Sequence, residues 1–214
     1  MARDWHAWHS EYDDPDSSLS RRLEVVRAEL RRILLGRSGR TRVVSMCAGD
    51  GRDVLPVVAE TGADADVVLV ELDPALGLAA AATGARLGLS GVDVRSDDAG
   101  KTDTYLGAVP ADVLLACGVF GNITDDDVER TVRALPSLLA AGGIVIWTRG
   151  RHVPQDPTLL EGDPSERVRE LFARAGFAER AFVRPDDAGF RVGVHQLVDT
   201  PTGFTPGVEL FTFV

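Results

Sequence analysis

The chain has 214 residues, of which 44% are hydrophobic, and its formal net charge at pH 7 is −10. This size and composition suit one α/β domain with its own core, and the negative charge argues against a nucleic-acid partner. No stretch approaches the roughly 18 uncharged apolar residues of a membrane span, and the first residues lack an apolar signal core. With two cysteines as well, the sequence predicts a cytoplasmic protein without a membrane partner.

The first part of the chain combines an aromatic segment with an amphipathic helix. Trp5, Trp8 and Tyr12 all lie within the first twelve positions. From Ser18 to Leu35, apolar residues recur every three or four positions, which predicts a helix with one apolar face. We interpret residues 1–40 as a helical lid, because aromatic side chains combine large contact area with a polar group.

Two apolar runs flank a glycine turn in the next part of the chain. Val43 to Met46 and Val67 to Val70 read as buried parallel strands, and Gly49 and Gly51 follow the first of them. Glu71 follows the second run, twenty residues after Gly51. That is about the separation between a nucleotide-binding glycine turn and the carboxylate that accepts hydrogen bonds from the ribose of the same ligand.

The residues of this turn discriminate between ligands. The dinucleotide fingerprint requires a third glycine or an alanine where this chain has Val54, so an NAD(P)-dependent oxidoreductase is a disfavoured alternative. Asp50 and Asp53 would repel a pyrophosphate and suit a ligand with an ammonium or a sulfonium group. A helix is expected to begin near Gly51 and to run to Glu60.

Helices and strands continue to alternate after Glu71. Asp73 and Pro74 are typical of a helix start, and Thr124 and Asp127 have the spacing of a capping box. The predicted helices are 74–87, 124–139 and 165–175, and the predicted strands are 92–95, 112–117, 144–148, 178–184 and 190–198. His195, on the last of these strands, is interpreted as a structural polar residue.

These motifs resemble those of the class I S-adenosylmethionine-dependent methyltransferases, in which a strand, an x-G-x-G turn and a helix precede a strand that ends in an acid. The resemblance covers about residues 40–198. It implies an α/β, Rossmann-like doubly wound sheet of about seven strands, mostly parallel with an antiparallel C-terminal strand. One domain is expected, with a lid (1–40), a core (41–198) and a C-terminal tail (199–214).

The same resemblance implies that the cofactor is S-adenosyl-L-methionine and indicates which residues contact it. The glycine turn would wrap the methionine part and Glu71 would bind the ribose. Asp98, or Asp97 in its place, would bind the adenine amino group. The implied cofactor-binding residues are Cys47, Ala48, Gly49, Asp50, Gly51, Asp53, Glu71, Leu72, Asp98, Ala99, Cys117 and Gly118.

The segment after the fourth predicted strand bears on the acceptor. Its sequence, Cys-Gly-Val-Phe-Gly-Asn from position 117, lacks the Asn/Asp-Pro-Pro-aromatic motif of the family's nucleic-acid amino-methylating members. The resemblance therefore implies a small-molecule acceptor, and a non-catalytic nucleotide-sensing module is the alternative. The residues expected at the substrate entrance or lid are Trp8, Tyr12, Phe120 and Asn122.

Two histidines are the candidate general bases. His9 lies in the aromatic segment and His152 follows the fifth predicted strand. The acids at 125–127 suit a helix N-terminus better than a metal, so no metal is expected. A monomer and a homodimer are both compatible with the sequence.

Overall fold

The computed structural model describes Tyr12 and residues 14–150 and 163–214. Seven strands in these ranges form one sheet: β1 (Thr41–Met46), β2 (Ala65–Val70), β3 (Val92–Arg95), β4 (Ala111–Ala116), β5 (Leu139–Gly150), β6 (Phe177–Val183) and β7 (Phe190–Leu197). Their order across the sheet is β3-β2-β1-β4-β5-β7-β6. The first five strands pair in parallel, and β7 lies antiparallel between β5 and β6. This confirms the predicted fold class, including the inserted antiparallel last strand.

Helices cover both faces of the sheet. They are α1 (Ser18–Leu35), α2 (Leu55–Thr61), α3 (Pro74–Arg86), α4 (Asp125–Ala134) and α5 (Pro164–Arg174), with short 3₁₀ turns at Thr102–Tyr105 and Leu135–Ser137. The first three helices pack on one face and the last two on the other. Side chains alternate between the two faces along each strand, so Val43 and Val44 belong to different cores. None of the helices in the described ranges has the length and apolar character needed to cross a membrane.

Local signals explain where α1 and α3 begin. The Ser17 hydroxyl accepts a hydrogen bond from the Ser20 N–H at 3.0 Å and caps α1. Asp73 caps α3 in the same way through the Ala75 N–H at 2.8 Å, with Pro74 in the first turn as predicted. Both helices therefore begin where the sequence places them.

The helix after the glycine turn begins later than predicted. It starts at Leu55 instead of Gly51, because Gly51 has a φ of +72° and residues 52–54 form a turn. The Val54 and Leu55 N–H groups both donate to the Gly51 carbonyl oxygen. The predicted capping box is also only half formed. Thr124 accepts from the Asp127 N–H, but the Asp127 carboxylate contacts Arg130 and the Thr212 N–H instead.

The residues expected as a C-terminal tail pack against the domain. We call residues 207–214 the C-terminal strap, because hydrogen bonds tie it to two loops at one edge of the sheet. The Leu210 N–H donates to the Gly100 carbonyl oxygen at 2.6 Å, and the Val214 N–H donates to that of Asn122 at 3.0 Å. Leu210 and Phe211 are buried. The strap therefore joins the loop after β3 to the loop after β4.

Candidate functional site

A cavity of about 380 Å³ opens at the C-terminal ends of β1, β2 and β4. Parallel sheets bind ligands at this edge. Eleven of the twelve predicted cofactor-binding residues line the cavity: Cys47, Ala48, Gly49, Asp50, Asp53, Glu71, Leu72, Asp98, Ala99, Cys117 and Gly118. The fold therefore brings together residues from four separate predicted segments, one after each of the first four strands.

Other lining residues were not anticipated. They come from α1, from the turn before α2, from the start of α3 and from the C-terminal strap, and they are Arg22, Leu23, Val26, Arg52, Asp73, Pro74, Leu76, Phe211 and Phe213. Leu23 and Val26 belong to the apolar face of α1, which the sequence predicts only as core-facing, whereas Arg22 lies off the predicted apolar stripe. The strap residues carried no motif, and only the tertiary contacts place them here.

Glu71 connects the ends of β1 and β2. Its Oε2 accepts the Gly49 N–H at 2.7 Å, and its Oε1 accepts the Asp73 N–H at 2.9 Å. The side chain is buried, yet each carboxylate oxygen has more than one acceptor position. Glu71 can therefore hold the glycine turn in place and still accept hydrogen bonds from the hydroxyl groups of a ligand in the cavity.

The two glycines of the turn have different roles. Both have positive φ values, +57° at Gly49 and +72° at Gly51. Gly49 lines the cavity, whereas a Cβ added to Gly51 would lie 2.8 Å from Leu55 Cδ1 and 2.9 Å from Leu69 Cδ1. A side chain at Gly51 would therefore point into the hydrophobic core, and Gly51 is not among the residues that line the cavity, so its predicted contact with the cofactor stays a prediction.

Asp53 carries a buried carboxylate oxygen that has no hydrogen-bond partner. Burial raises the pKa of this carboxyl to about 6. A hydrogen bond from the backbone of Asp53 itself opposes this effect, Asp50 adds a smaller raising effect, and Arg22 and Arg27 lower the pKa. The neighbouring Asp50 is instead held by Arg52, whose Nη2 lies 2.6 Å from Oδ2. Asp53 thus lines the cavity and carries one buried, unsatisfied acceptor oxygen, and such groups require an explanation.

Tyr12 brings the end of the aromatic N-terminal segment to the cavity. Its hydroxyl accepts a hydrogen bond from Arg22 Nη2 at 2.8 Å, and the Arg52 guanidinium lies 4.3 Å from its ring centroid. Burial raises the pKa of the Tyr12 hydroxyl. Trp8, His9 and His152 lie outside the described residues, so their predicted roles stay predictions.

At the far end of the cavity, the loop after β3 presents Asp98 and Ala99. Asp98 Oδ1 accepts the Gly100 N–H at 2.9 Å, and its side chain remains 41% exposed. Asp97 accepts the Asp98 N–H and does not line the cavity. The Ala99 carbonyl accepts a buried hydrogen bond of 2.6 Å from the Tyr105 hydroxyl, which fixes the loop. The geometry therefore favours Asp98 over Asp97.

Phe120 and Asn122 do not line the cavity. Phe120 is fully buried, with its ring centroid 6.1 Å from that of Trp147 and 6.4 Å from that of Phe172. It turns into the core because this aromatic cluster removes its surface from water. The Asn122 side chain donates to the Gly118 carbonyl oxygen at 2.6 Å and shapes the loop after β4. Neither side chain lines the cavity, and their predicted place at a substrate entrance stays a prediction.

Cys47 and Cys117 end adjacent strands and line the cavity as free thiols. Burial raises the pKa of both, so neither forms a thiolate near neutral pH. Cys47 adopts a left-handed backbone conformation with a φ of +50°, which is uncommon for a residue with a Cβ. Across the described ranges, no group of three or more His, Cys, Asp or Glu side chains is placed to hold a metal.

No protein-family model and no curated protein sequence matches the chain significantly. Solved structures do match its fold. The [4+2]-cyclase SpnF aligns with a TM-score of 0.62 and 17% identity, over 89% of this chain and 86% of that one. Fibrillarin from Aeropyrum pernix, solved with natively bound S-adenosyl-L-methionine, aligns with a TM-score of 0.59 and 15% identity, over 80% of this chain and 74% of that one. The pyocyanin biosynthetic protein PhzM aligns with a TM-score of 0.59 and 19% identity, over 83% of this chain and 55% of that one. The fold is therefore that of the class I methyltransferases.

Proposed function

We propose that this protein, which has the fold of class I methyltransferases, transfers a methyl group from S-adenosyl-L-methionine to a small-molecule acceptor. The observation that carries the proposal is the single cavity that unites the Gly49 turn, Glu71, Asp53 and the Asp98–Ala99 loop. A small-residue turn, a strand-end acid and a second acid at this edge suit an adenosyl ligand with an amino-acid end.

The residues present fit the two ends of such a cofactor. Glu71 would accept the ribose hydroxyls, because it is fixed by two backbone N–H groups and retains acceptor capacity. Asp98 and Ala99 would bind the adenine edge. Among the three buried unpartnered side-chain atoms of the described residues, the Asp53 oxygen is the one that lies on a cavity-lining residue. We assign it to the cationic methionine end.

The acids near the turn also argue against a dinucleotide. Asp50 and Asp53 both line the cavity close to the turn, where a pyrophosphate would approach an NAD-binding fold. An ionised Asp53 would repel a phosphate and attract an ammonium group. The NAD(P) alternative is therefore weaker than the methyl-donor proposal.

When bound, the cofactor supplies an activated methyl group together with its own leaving group, so the protein mainly has to orient the reactants. Tyr12 and the α1 residues Leu23 and Val26 enclose one side of the cavity and would exclude water. The cysteines, as neutral buried thiols, would pack against the ligand rather than react with it. His9 and His152 remain the candidate bases for an acceptor that arrives protonated.

Two features support a small acceptor. The net charge of −10 disfavours a polyanion, and the segment after β4 has Cys117 and Gly118 instead of the motif of nucleic-acid amino-methylating enzymes. The fold alone does not decide the reaction, because SpnF has a similar fold and is a cyclase. Turnover therefore has to be tested separately from ligand binding, because a non-catalytic module would also bind the ligand.

Calorimetry with S-adenosylmethionine, S-adenosylhomocysteine and NAD tests the cofactor. We expect binding of both adenosyl ligands and none of NAD, and the reverse preference would refute the proposal. A screen of small molecules with a methyl-labelled donor then tests turnover. Binding without label transfer to any acceptor class would favour the sensing module, and transfer to RNA alone would contradict the small-molecule acceptor.

A further inference from the structure

The C-terminal strap crosses the end of the cavity where the adenine edge is expected. The Val208 N–H donates to Thr102 Oγ1 at 2.9 Å, and Lys101 and Glu209 form an antiparallel bridge. A Cβ built on Gly100 would lie only 2.2 Å from the Phe211 carbonyl oxygen. The strap backbone thus passes directly beside the Asp98–Ala99 loop, and Gly100 permits that close approach.

Hydrogen bonds anchor the strap at several points along its backbone, so the path of the backbone is fixed. The Leu210 carbonyl oxygen accepts hydrogen bonds from Arg130 Nε and Thr131 Oγ1, both at 3.1 Å. Asp127 Oδ2 accepts the Thr212 N–H at 3.3 Å. Together with the Val214 bond to the loop after β4, these contacts hold the backbone on either side of Phe213.

The strap directs two aromatic rings to the cavity. Phe211 is buried, whereas Phe213 is 43% exposed, and their ring centroids lie 5.7 Å apart. Leu78 is 73% exposed but does not line the cavity. A partly exposed aromatic face at a ligand site gains contact area when a flat heterocycle stacks on it.

We propose that Phe213 stacks on the adenine of the adenosyl ligand and that the strap is the element that positions it. This inference rests on the proposed function, because it takes the adenosyl group as the ligand. Asp98 and Ala99 would hold the edge of the base while the Phe213 ring covers its face. The strap is then part of the binding site and not an appendage of the fold.

Binding of 5′-methylthioadenosine, which has the adenosine but no amino-acid part, tests this role. Phe213→Ala should weaken binding of both 5′-methylthioadenosine and S-adenosylhomocysteine by about tenfold, and Phe213→Tyr should bind like the wild type. Phe213→Leu keeps apolar packing without a ring, so it should resemble the alanine variant. Leu78→Ala, which removes an exposed side chain outside the cavity, is the matched control.

Amide hydrogen exchange gives a second readout, since bound 5′-methylthioadenosine should slow exchange at Leu210, Thr212 and Val214 in the wild type more than in Phe213→Ala. Unchanged affinity in Phe213→Ala would overturn the inference. So would a loss confined to S-adenosylhomocysteine, because that pattern places the ring at the amino-acid end. A wild type that binds neither ligand would overturn the proposed function itself, and this inference with it.

Discussion

Two buried regions of the molecule each contain an ionisable side chain. In one region the side chain has a hydrogen-bond partner, and in the other one of its oxygens has none. In the aromatic core between β5, β7 and α5, His195 accepts a hydrogen bond from Trp147 Nε1 at 3.0 Å and stacks on Phe172 at 4.4 Å. At the cavity, the buried Asp53 oxygen has no partner. A satisfied group stabilises a core, whereas an unsatisfied one costs stability until a ligand arrives. The contrast distinguishes a polar residue with a structural partner from one that we propose to bind ligand.

The packing of the aromatic core gives the largest expected effect. A Cβ at Gly193 would lie 2.2 Å from Trp147 Cε2, inside the buried indole ring. Gly193→Ala should therefore lower the free energy of unfolding by about 3 kcal/mol or more, measured by urea denaturation. Gly203→Ala is the control, because no atom lies within 4 Å of its added Cβ. Equal stability of the two variants would mean that this core is not tightly packed.

Substitution of Glu71 tests the role of the cavity. Glu71→Ala should weaken S-adenosylhomocysteine binding by about 2–4 kcal/mol, because it removes charge-assisted hydrogen bonds to the ligand. The loss also frees the Gly49 and Asp73 N–H groups, so Glu71→Gln, which retains one acceptor oxygen, should lose less. Circular dichroism and calorimetry measure folding and affinity. Unchanged affinity in a folded Glu71→Ala variant would remove Glu71 from the ribose site.

Acid should destabilise the core through His195. Burial lowers its pKa from 6.5 to about 4, so between these values the unfolded chain binds a proton that the folded protein excludes. Stability should be fully present above pH 6.5 and fall by about 2–3 kcal/mol as the pH drops to 4. Denaturation of the wild type and His195→Gln across this range measures the slope. The His195→Gln slope should be flatter, and parallel slopes would contradict the assignment.

The pH dependence of stability caused by Asp53 should have the opposite sign to that caused by His195. Its folded pKa of about 6 exceeds the unfolded value of 3.8, so the unliganded protein loses stability as the pH rises through this window. Asp53→Asn should raise the stability of the unliganded protein at pH 8 by about 1–2 kcal/mol, with no gain at pH 4. The same variant should bind S-adenosylhomocysteine more weakly. Lower stability at pH 8 would show that Asp53 has a structural partner.

The smallest effect concerns Tyr12. Tyr12→Phe loses the hydrogen bond from Arg22 but keeps a ring for Arg52, so it should weaken cofactor binding by about 1 kcal/mol or less. Removal of residues 1–14 should weaken it further and leave the core folded. In the intact protein, cofactor should protect residues 5–12 from proteolysis. A cleavage rate that ignores ligand would rule out a lid.

Sequence patterns predicted those features that depend on neighbouring residues. The apolar spacing of α1, the Asp73–Pro74 cap and the alternating strands are local, and the structure confirms them. The proximity of the Gly49 turn to Glu71 could be predicted from the sequence, because the C-terminal ends of parallel strands meet at one edge of the sheet. His195 was correctly interpreted as structural.

The placements that the sequence did not give have a tertiary origin. The inward direction of Gly51 depends on Leu69 of the next strand, and the burial of Phe120 depends on Trp147 and Phe172. The strap has no periodicity, and its position follows from hydrogen bonds to loops about one hundred residues earlier in the chain. No single stretch of sequence contains these relations.

The cavity is lined by residues from Tyr12 to Phe213, so almost the whole chain contributes to one small volume. During vectorial synthesis, a nascent chain that has been made only as far as residue 206 has the glycine turn and Glu71 but lacks Phe211 and Phe213 at the cavity. Under the proposed function, ligand would therefore bind fully only after the strap has docked. Bound ligand would then stabilise the form of the protein with the strap docked, by an amount that grows with ligand concentration.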